Sequence, residues 1–144
     1  PTHLYGAADE RTSFLNTFMR KAIAGSDIDT HSFVNGAPCV DVLHVDDFAR
    51  GVVLALRSGV TGVLHLASGD CLSTGELAGQ IVRIAGSGSK IRGINLPGHC
   101  SHNVLDASRA RSILGWKPEI ALAEGLGRAL AHIKINMANK EGSN

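Results

Sequence analysis

The sequence lacks the features that mark membrane, nucleic-acid-binding and disulfide-rich proteins. No apolar run approaches the roughly 18 residues that a membrane helix requires. The 14 Lys and Arg residues are scattered and nearly balanced by 13 Asp and Glu residues, for a net charge of +1, so neither nucleic acid nor a membrane is expected as a partner. The three cysteines lie far apart with no Cys-x-x-Cys pair, which predicts reduced thiols and a cytoplasmic location.

Motifs for dinucleotide binding and nucleophilic catalysis are also missing. The nearest approach to Gly-x-Gly-x-x-Gly is Gly86-Ser87-Gly88, which follows a helical pattern and continues as Ser-Lys-Ile. The single tyrosine, Tyr5, has no lysine four residues after it, and no Ser or Cys lies in a nucleophile elbow. The sequence therefore predicts no catalytic residue within this chain.

The composition is that of a globular protein with one core. Hydrophobic residues make up 44% of the sequence and charged residues 19%, which is ordinary for a folded domain. A chain of 144 residues is long enough to bury about 70% of its extended surface. We therefore predict a single α/β unit over residues 1–139, followed by a disordered tail over residues 140–144.

Helical and extended patterns alternate along this unit. Apolar residues at helical spacing predict helices at Thr12–Ala24 and Leu122–Met137, and Ser73–Glu76 forms a capping box for another helix. Short apolar runs bounded by turn residues predict strands. These strands are Ile28–Val34, Val63–Ala67 and Lys90–Leu96.

The stretch Pro38–Ala49 lies at the centre of the predicted fold. Its strand, Val40–Val45, is nearly all apolar, which is typical of a strand that helices cover on both faces. Asp46 and Asp47 follow at a helix start, where a carboxylate accepts hydrogen bonds from free backbone N–H groups. We expect the helix to bury a face formed by Phe48, Val52, Ala55 and Leu56.

Seven histidines raise the question of a metal site. His99, Cys100 and His102 form the single cluster. A zinc site needs three or four converging ligands, whereas this loop offers at most three. We therefore expect no metal and interpret the segment as a polar loop that lines a cleft.

Seven short blocks occur in a fixed order along nearly the whole chain. They are Pro1–Gly6, Val40–Asp47, Gly62–Gly69, Ser73–Leu77, Asp106–Arg109, Leu114–Pro118 and Glu124–Leu126. The first two are similar to Arg-Pro-x-Asn-x-Tyr-Gly and Arg-Asp-Phe-x-His-Val-x-Asp, and the later ones include Leu-Gly-Trp-x-Pro and Glu-Gly-Leu. In this order the blocks resemble the C-terminal half of the extended short-chain dehydrogenase/reductase family, the NAD-dependent nucleotide-sugar epimerases and dehydratases.

The resemblance implies an α/β fold made of the late strands of a Rossmann-like parallel sheet and a small α/β substrate-binding lobe. In that family the glycine-rich NAD site and the Tyr-x-x-x-Lys pair lie in the front half, so both are expected upstream of this chain, which alone is expected to be inactive. NAD or NADP would be bound mainly by the missing half. The resemblance assigns Pro1, Thr2 and His3 to the cofactor, and His3, Tyr5, Arg11, Val40, Leu96 and His99 to the substrate.

The sequence departs from the family where relatives hold the substrate's diphosphate. An Asn and two Arg residues of the family pattern are replaced by His3, Val40 and Leu96. A guanidinium makes two parallel hydrogen bonds to phosphate, which valine and leucine cannot make. Three alternatives remain: the substrate lacks a nucleotide diphosphate, the site has decayed, or other cations substitute. Those cations are Arg11, Arg92, His99 and His102.

The resemblance also implies a partner. The Pro1–Tyr5 strand, the central helix and Val63–Ala67 belong in the family to the cofactor-binding sheet, so their apolar faces and strand edges need the missing half or a partner chain. Homo-oligomers are expected as well. The favoured function is the substrate-binding portion of an NAD(P)-dependent epimerase, dehydratase or reductase that acts on a sugar nucleotide or another small hydroxy or carbonyl compound. The alternative is a non-catalytic module that retains the fold to bind a ligand or partner.

Overall fold

A computed structural model describes the chain at residues 2–7 and 13–141. Strands and helices alternate through these residues, as predicted for an α/β protein. The helices are α1 (Phe14–Ile23), α2 (Val45–Ser58), α3 (Thr74–Ala85), α4 (Ser108–Leu114) and α5 (Leu122–Glu141). The strands are β1 (His3–Tyr5), β2 (Ile28–Ser32), β3 (Cys39–Val40), β4 (Val42–His44), β5 (Leu72–Ser73), β6 (Ile91–Asn95) and β7 (His102–Asn103).

The strands form three small sheets. Strand β1 lies parallel to β4, with His3 opposite Val42 and Tyr5 opposite His44. Strand β2 lies parallel to β6. In the third sheet, β3 lies between β5, which is antiparallel to it, and β7, which is parallel to it. Parallel strands require long crossover connections, and at least one helix lies between the two partners of each parallel pair.

Two hydrophobic cores flank the β1–β4 pair. The larger core packs α1, α3 and α5 around Met19, Ile28 and Ile81, all fully buried. The smaller core lies between α2 and α4 and surrounds Trp116 and Leu43. Helix α2 approaches this second core closely at Gly51, where an added Cβ would lie 2.7 Å from a Leu66 methyl carbon and 2.9 Å from Trp116 Nε1.

A buried carboxylate, Asp47, fixes α2 to the loop between α4 and α5. Its side chain is 2% exposed and accepts hydrogen bonds from the backbone amides of Glu119 and Ile120 at 2.9–3.1 Å. Arg50 donates to the same carboxylate at 2.6 Å, and Trp116 Nε1 donates to the Asp47 carbonyl at 3.0 Å. These bonds satisfy a charge that would otherwise be costly to bury.

A second buried residue, Asp41, fixes the central strand segment to β1 and to the loop after residue 67. It is fully buried and accepts from the amides of Ser68 and Gly69 at 3.0 and 3.1 Å, and from the Ser68 hydroxyl at 2.7 Å. Its backbone carbonyl accepts from the amide of His3 and the hydroxyl of Thr2. Asp41 therefore connects β1, the break between β3 and β4, and the loop after residue 67.

Local signals in the sequence are confirmed. The Ser73 hydroxyl accepts from the Glu76 amide, and the Glu76 carboxylate accepts from the Ser73 amide, which completes the predicted capping box of α3. Gly59, Gly86 and Gly115 end α2, α3 and α4 with positive φ angles of 60–65°, which a residue with a Cβ adopts only at a cost.

Several predicted elements need correction. Residues 63–67 were predicted to form a strand, but their backbone pairs with no strand among the described residues. Leu66 and Ala67 are nevertheless buried in the smaller core. The central strand is divided at Asp41 into β3 and β4. The α2 cap is also different: His44 Nδ1 accepts from the Asp46 amide at 3.2 Å, so neither aspartate is the cap.

The predicted buried face of α2 is wrong in part. Phe48 packs against the smaller core, but Leu56 is 79% exposed and Val52 is 37% exposed. The helix is held instead through Asp47 and Gly51, which are buried. Helix α2 is therefore apolar on two sides, and the structure covers one of them.

The last helix runs closer to the C-terminus than predicted. Helix α5 extends to Glu141, so the tail predicted for residues 140–144 starts too early, and residues 142–144 lie outside the described residues. In the part of the chain that the structure describes, every helix is too short or too polar to cross a lipid bilayer.

We expect Asp47→Ala to destabilise the fold by about 3 kcal/mol or more, because it leaves the backbone amides of Glu119 and Ile120 without their acceptor and removes one partner of Arg50. Asp46→Ala is the matched control. Its side chain is 64% exposed and pairs with Arg128 at 3.7 Å, so we expect a loss below about 1 kcal/mol. Urea denaturation monitored by circular dichroism measures both.

The same experiment at acid pH tests the charge on Asp47. Burial raises the pKa of Asp47, but hydrogen bonds from Arg50, Ile120 and Glu119 outweigh burial and hold it below the ordinary value of 3.8. As the pH falls, the Asp47 carboxylate of the unfolded chain, whose pKa is higher, is protonated before that of the folded chain. The stability that Asp47 contributes is therefore complete at neutral pH and is lost as the pH falls through its folded-state pKa.

Equal losses of unfolding free energy for Asp47→Ala and Asp46→Ala at pH 7 would contradict this account.

Candidate functional site

The residues that the sequence assigns to cofactor and substrate lie in different parts of the structure. Pro1 and Arg11 lie outside the described residues. Thr2 and His3 lie side by side at the start of β1, and His3 is exposed. The His3 ring packs edge-on against Phe14, the first residue of α1, with ring centroids 5.8 Å apart.

Thr2 and His3 form one wall of a cleft that we call the His3 cleft. Its volume is about 370 Å³, and the opposite wall consists of His102, Asn103, Val104 and Leu105. The break in the central strand builds this cleft: the Asp41 carbonyl binds Thr2 and His3, and the Asp41 carboxylate binds the amide of Leu105 at 3.5 Å. Residues with imidazole, hydroxyl and amide side chains therefore line one opening.

The other predicted substrate residues do not line this cleft. Val40 is 8% exposed, lies within the larger core and pairs with Leu72 and Asn103. Leu96 is half-buried after β6, and its amide donates to the Ser32 carbonyl. His99 is exposed in the next loop. Val40 is connected to the cleft wall, because β3 is hydrogen-bonded to β7, which carries His102 and Asn103.

Tyr5 lies in a second depression, which we call the β4 cavity. This cavity has a volume of about 550 Å³ and lies beside β4, the 68–72 loop, α4 and the start of α5. Buried residues form its floor, and these are Tyr5, Val42, Leu43 and His44. More exposed residues line the rest, and these are Ser68, Asp70, Leu72, Arg111, Lys117, Pro118, Ile120, Ala121 and Leu122. It shares no lining residue with the His3 cleft.

Tyr5 and His44 pack edge-to-face on the floor of the β4 cavity, with ring centroids 5.4 Å apart. Burial raises the pKa of Tyr5 to about 12, and the charges of Asp47 and Glu124 add to this effect, so the phenol stays protonated at neutral pH. His44 Nδ1 accepts the α2 capping bond, whereas His44 Nε2 is buried without a hydrogen-bond partner among the described residues. The sequence did not identify Tyr5 and His44 as neighbours, because only the parallel register of β1 and β4 places the two rings together.

The predicted polar loop is held by a reciprocal pair of hydrogen bonds. The Asn35 amide group donates to the Cys100 carbonyl, and the Cys100 amide donates to the Asn35 side-chain oxygen, both at 2.9 Å. Cys100 Sγ lies 3.8 Å from His102 Nε2, beside the His3 cleft. Within the described residues no three potential ligands converge on a metal position.

The cysteines differ from the expectation of three reduced thiols. Cys39 and Cys71 are joined in a disulfide with their Cα atoms 5.4 Å apart, within the range that disulfides occupy. The antiparallel pairing of β3 with β5 brings them together, and sequence spacing could not show this. Cys100 is free. The cytoplasmic location stays a prediction.

We expect protein purified without reductant and then unfolded in iodoacetamide to carry one label, at Cys100, as judged by mass spectrometry of its peptides. Prior reduction exposes Cys39 and Cys71 and raises the count to three. Cys100→Ser is the control and loses the single label. Labelling of all three cysteines without reduction would show that the 39–71 bond does not form in solution.

Comparisons with known proteins agree on a family. Residues 1–66 match the model of the NAD dependent epimerase/dehydratase family. A dTDP-glucose 4,6-dehydratase from Streptomyces niveus is 36% identical over 99 residues, which cover 67% of this chain and 30% of that protein. A probable GDP-L-fucose synthase from Oryza sativa subsp. japonica is 30% identical over 136 residues, which cover 88% of this chain and 41% of the relative.

Solved structures give the same result for the fold. The UDP-glucose 4-epimerase of Thermotoga maritima superposes with a TM-score of 0.81 at 23% identity, over 94% of this chain and 45% of that protein. Structures with the same fold include complexes with NAD and with NADPH. The chain spans less than half the length of each of the three named proteins. Its α/β fold corresponds to part of an extended short-chain dehydrogenase/reductase, and the chain belongs to the NAD dependent epimerase/dehydratase family.

Proposed function

We propose that this chain is the substrate-binding portion of an NAD(P)-dependent epimerase, dehydratase or reductase whose cofactor is held mainly by a separate dinucleotide-binding unit. The observation that carries the proposal is the match itself: the fold covers 94% of this chain but only 45% of the Thermotoga maritima epimerase. The sequence contains neither a glycine-rich dinucleotide turn nor a Tyr-x-x-x-Lys pair. The chemistry of hydride and proton transfer is therefore assigned to that other unit, and this chain alone is inactive.

The His3 cleft is the proposed substrate position. Its imidazoles and the Asn103 amide suit hydrogen bonds to hydroxyl or carbonyl oxygens of a small compound, and the Thr2 hydroxyl, which donates to the Asp41 carbonyl, can accept from a ligand hydroxyl. Guanidinium groups are absent from its described lining. Arg92, one of the cations that could replace the missing arginines, does not line the cleft, and its guanidinium pairs with Asp29 at 2.9 Å and Asp27 at 3.8 Å. Among the described substitutes named from the sequence, His102 alone lines the cleft.

This lining favours a substrate without a nucleotide diphosphate. Two Arg–phosphate contacts at about 1.5–3 kcal/mol each would be lost with valine and leucine at positions 40 and 96. A neutral hydroxy or carbonyl compound does not need them. Pro1, Thr2 and His3 remain the proposed cofactor contacts, and His3, Tyr5, Arg11, Val40, Leu96 and His99 remain the proposed substrate contacts. The dispersal of Tyr5, Leu96 and His99 weighs against a single pocket formed by this chain without a partner.

The uncovered side of α2 supports the need for a partner unit. Leu56 is 79% exposed, Val53 is 43% exposed, and Val63 nearby in sequence is 71% exposed. Apolar side chains at this exposure lose the burial that normally stabilises a helix. A dinucleotide-binding unit of the same polypeptide or a partner chain would cover them. A homo-oligomer is the other proposed cover.

A non-catalytic ligand- or partner-binding module is the second candidate. The described lining of the His3 cleft contains no guanidinium group, and this observation favours the module. A protein that has lost its enzymatic activity can keep the fold while it loses the residues that contact phosphate. The two candidates differ in the sequence upstream of Pro1. A glycine-rich turn and a Tyr-x-x-x-Lys pair there support the enzyme, and their absence supports the module.

We expect the melting temperature of this chain to be unchanged by NAD, NADP or NADPH at about 1 mM, because a ligand stabilises only the fold that binds it. Differential scanning fluorimetry measures this, with a full-length epimerase of the family as the positive control. A clear rise in the melting temperature of this chain would overturn the assignment of the cofactor to a separate unit.

A further inference from the structure

The β4 cavity has the charge and shape of a ligand site in its own right. We propose that it binds a small organic anion: a phosphate monoester or carboxylate carried on an apolar body. A volume of about 550 Å³ lies within the range of about 300–1,000 Å³ that small-molecule sites occupy. This proposal does not depend on the function proposed for the His3 cleft, since the two share no lining residue.

The floor of the cavity is apolar and rigid. Val42 and Leu43 lie on β4 and are 5% and 1% exposed, so their positions are fixed by the β1–β4 pairing and the two cores. Pro118 and Leu122 extend this apolar surface from the loop that Asp47 holds. A ring or short aliphatic group against Leu72, Pro118 and Leu122, which are half-buried, would remove apolar surface from water, and this favours binding.

The more exposed part of the lining carries a net positive charge. Arg111 and Lys117 contribute two cations, and Asp70 contributes one carboxylate. Arg111 donates to the Ser68 carbonyl at 3.4 Å, near the outer limit of a hydrogen bond, and leaves other guanidinium donors for a ligand. An anionic group therefore matches this side of the cavity better than a neutral or cationic one.

The two rings of the floor are held by contacts outside the cavity. His44 Nδ1 accepts from the Asp46 amide, and His44 Nε2 is buried beside Gly6, which does not line the cavity. The Tyr5 hydroxyl lies against Gly125 of α5, which does not line the cavity either. Preference for an anion therefore depends on Arg111 and Lys117 and not on the floor.

Isothermal titration calorimetry with phenyl phosphate, inorganic phosphate and phenol tests the proposal. We expect phenyl phosphate to bind at least ten-fold more tightly than either fragment, because it alone combines the anion with the apolar body. Benzoate as a fourth probe distinguishes carboxylates from phosphates as the preferred head group. Absence of heat from both phenyl phosphate and benzoate at about 10 mM would overturn the proposal.

Charge-removing variants locate the binding. We expect Arg111→Gln and Lys117→Gln each to weaken phenyl phosphate binding about ten-fold or more, as loss of a charge-assisted contact does. Arg57→Gln is the matched control, since Arg57 is an exposed arginine in the last turn of α2 and does not line the cavity. An unchanged melting temperature shows that each variant is folded. Equal weakening by all three variants would mean non-specific ion binding, and the β4 cavity would not be the site.

Discussion

Two buried carboxylates determine how the parts of this structure are held together. The Asp47 carboxylate accepts hydrogen bonds from the backbone amides of Glu119 and Ile120. The Asp41 carboxylate accepts hydrogen bonds from the backbone amides of Ser68 and Gly69. The four donors lie in segments outside helices and strands, so the carboxylates replace the backbone partners that a sheet would supply. The sheets themselves have only two or three strands each, and such small sheets are marginal alone. Without these bonds, both loops would carry unsatisfied amides.

The two depressions follow from the same constraint. Asp41 divides the central strand and holds β1 against Leu105, which creates the His3 cleft. Asp47 holds the loop that carries Lys117 and Pro118 over β4, which closes one side of the β4 cavity. Helix α2 starts at β4 and leaves an apolar side exposed. The two candidate sites thus lie on a fold that spans less than half of the Thermotoga maritima epimerase, as expected for the proposed role as one part of a larger protein.

Local signals in the sequence predicted local structure well. The Ser73–Glu76 capping box involves four consecutive residues, so tertiary contacts are not needed to recognise it. The blocks around Val40–Asp47 and Leu114–Pro118 also predicted the family correctly. The prediction of a strand at residues 63–67 was wrong because strand formation depends on a partner strand distant in sequence. The prediction of the buried face of α2 was wrong in part because this helix carries apolar residues on more than one side. The role of Asp47 as an acceptor for residues 72 and 73 positions away and the Cys39–Cys71 bond both depend on the tertiary fold.

Amide hydrogen exchange measured by NMR at neutral pH tests the central claim most directly. If the carboxylates hold the loops, the amides of Ser68, Gly69, Glu119 and Ile120 are protected to the level of the buried helix α3, although they lie in irregular segments. The amide of Gly88, an exposed residue in the loop between α3 and β6, is the reference for fast exchange. Exchange of the four amides as fast as that of Gly88 would contradict the account.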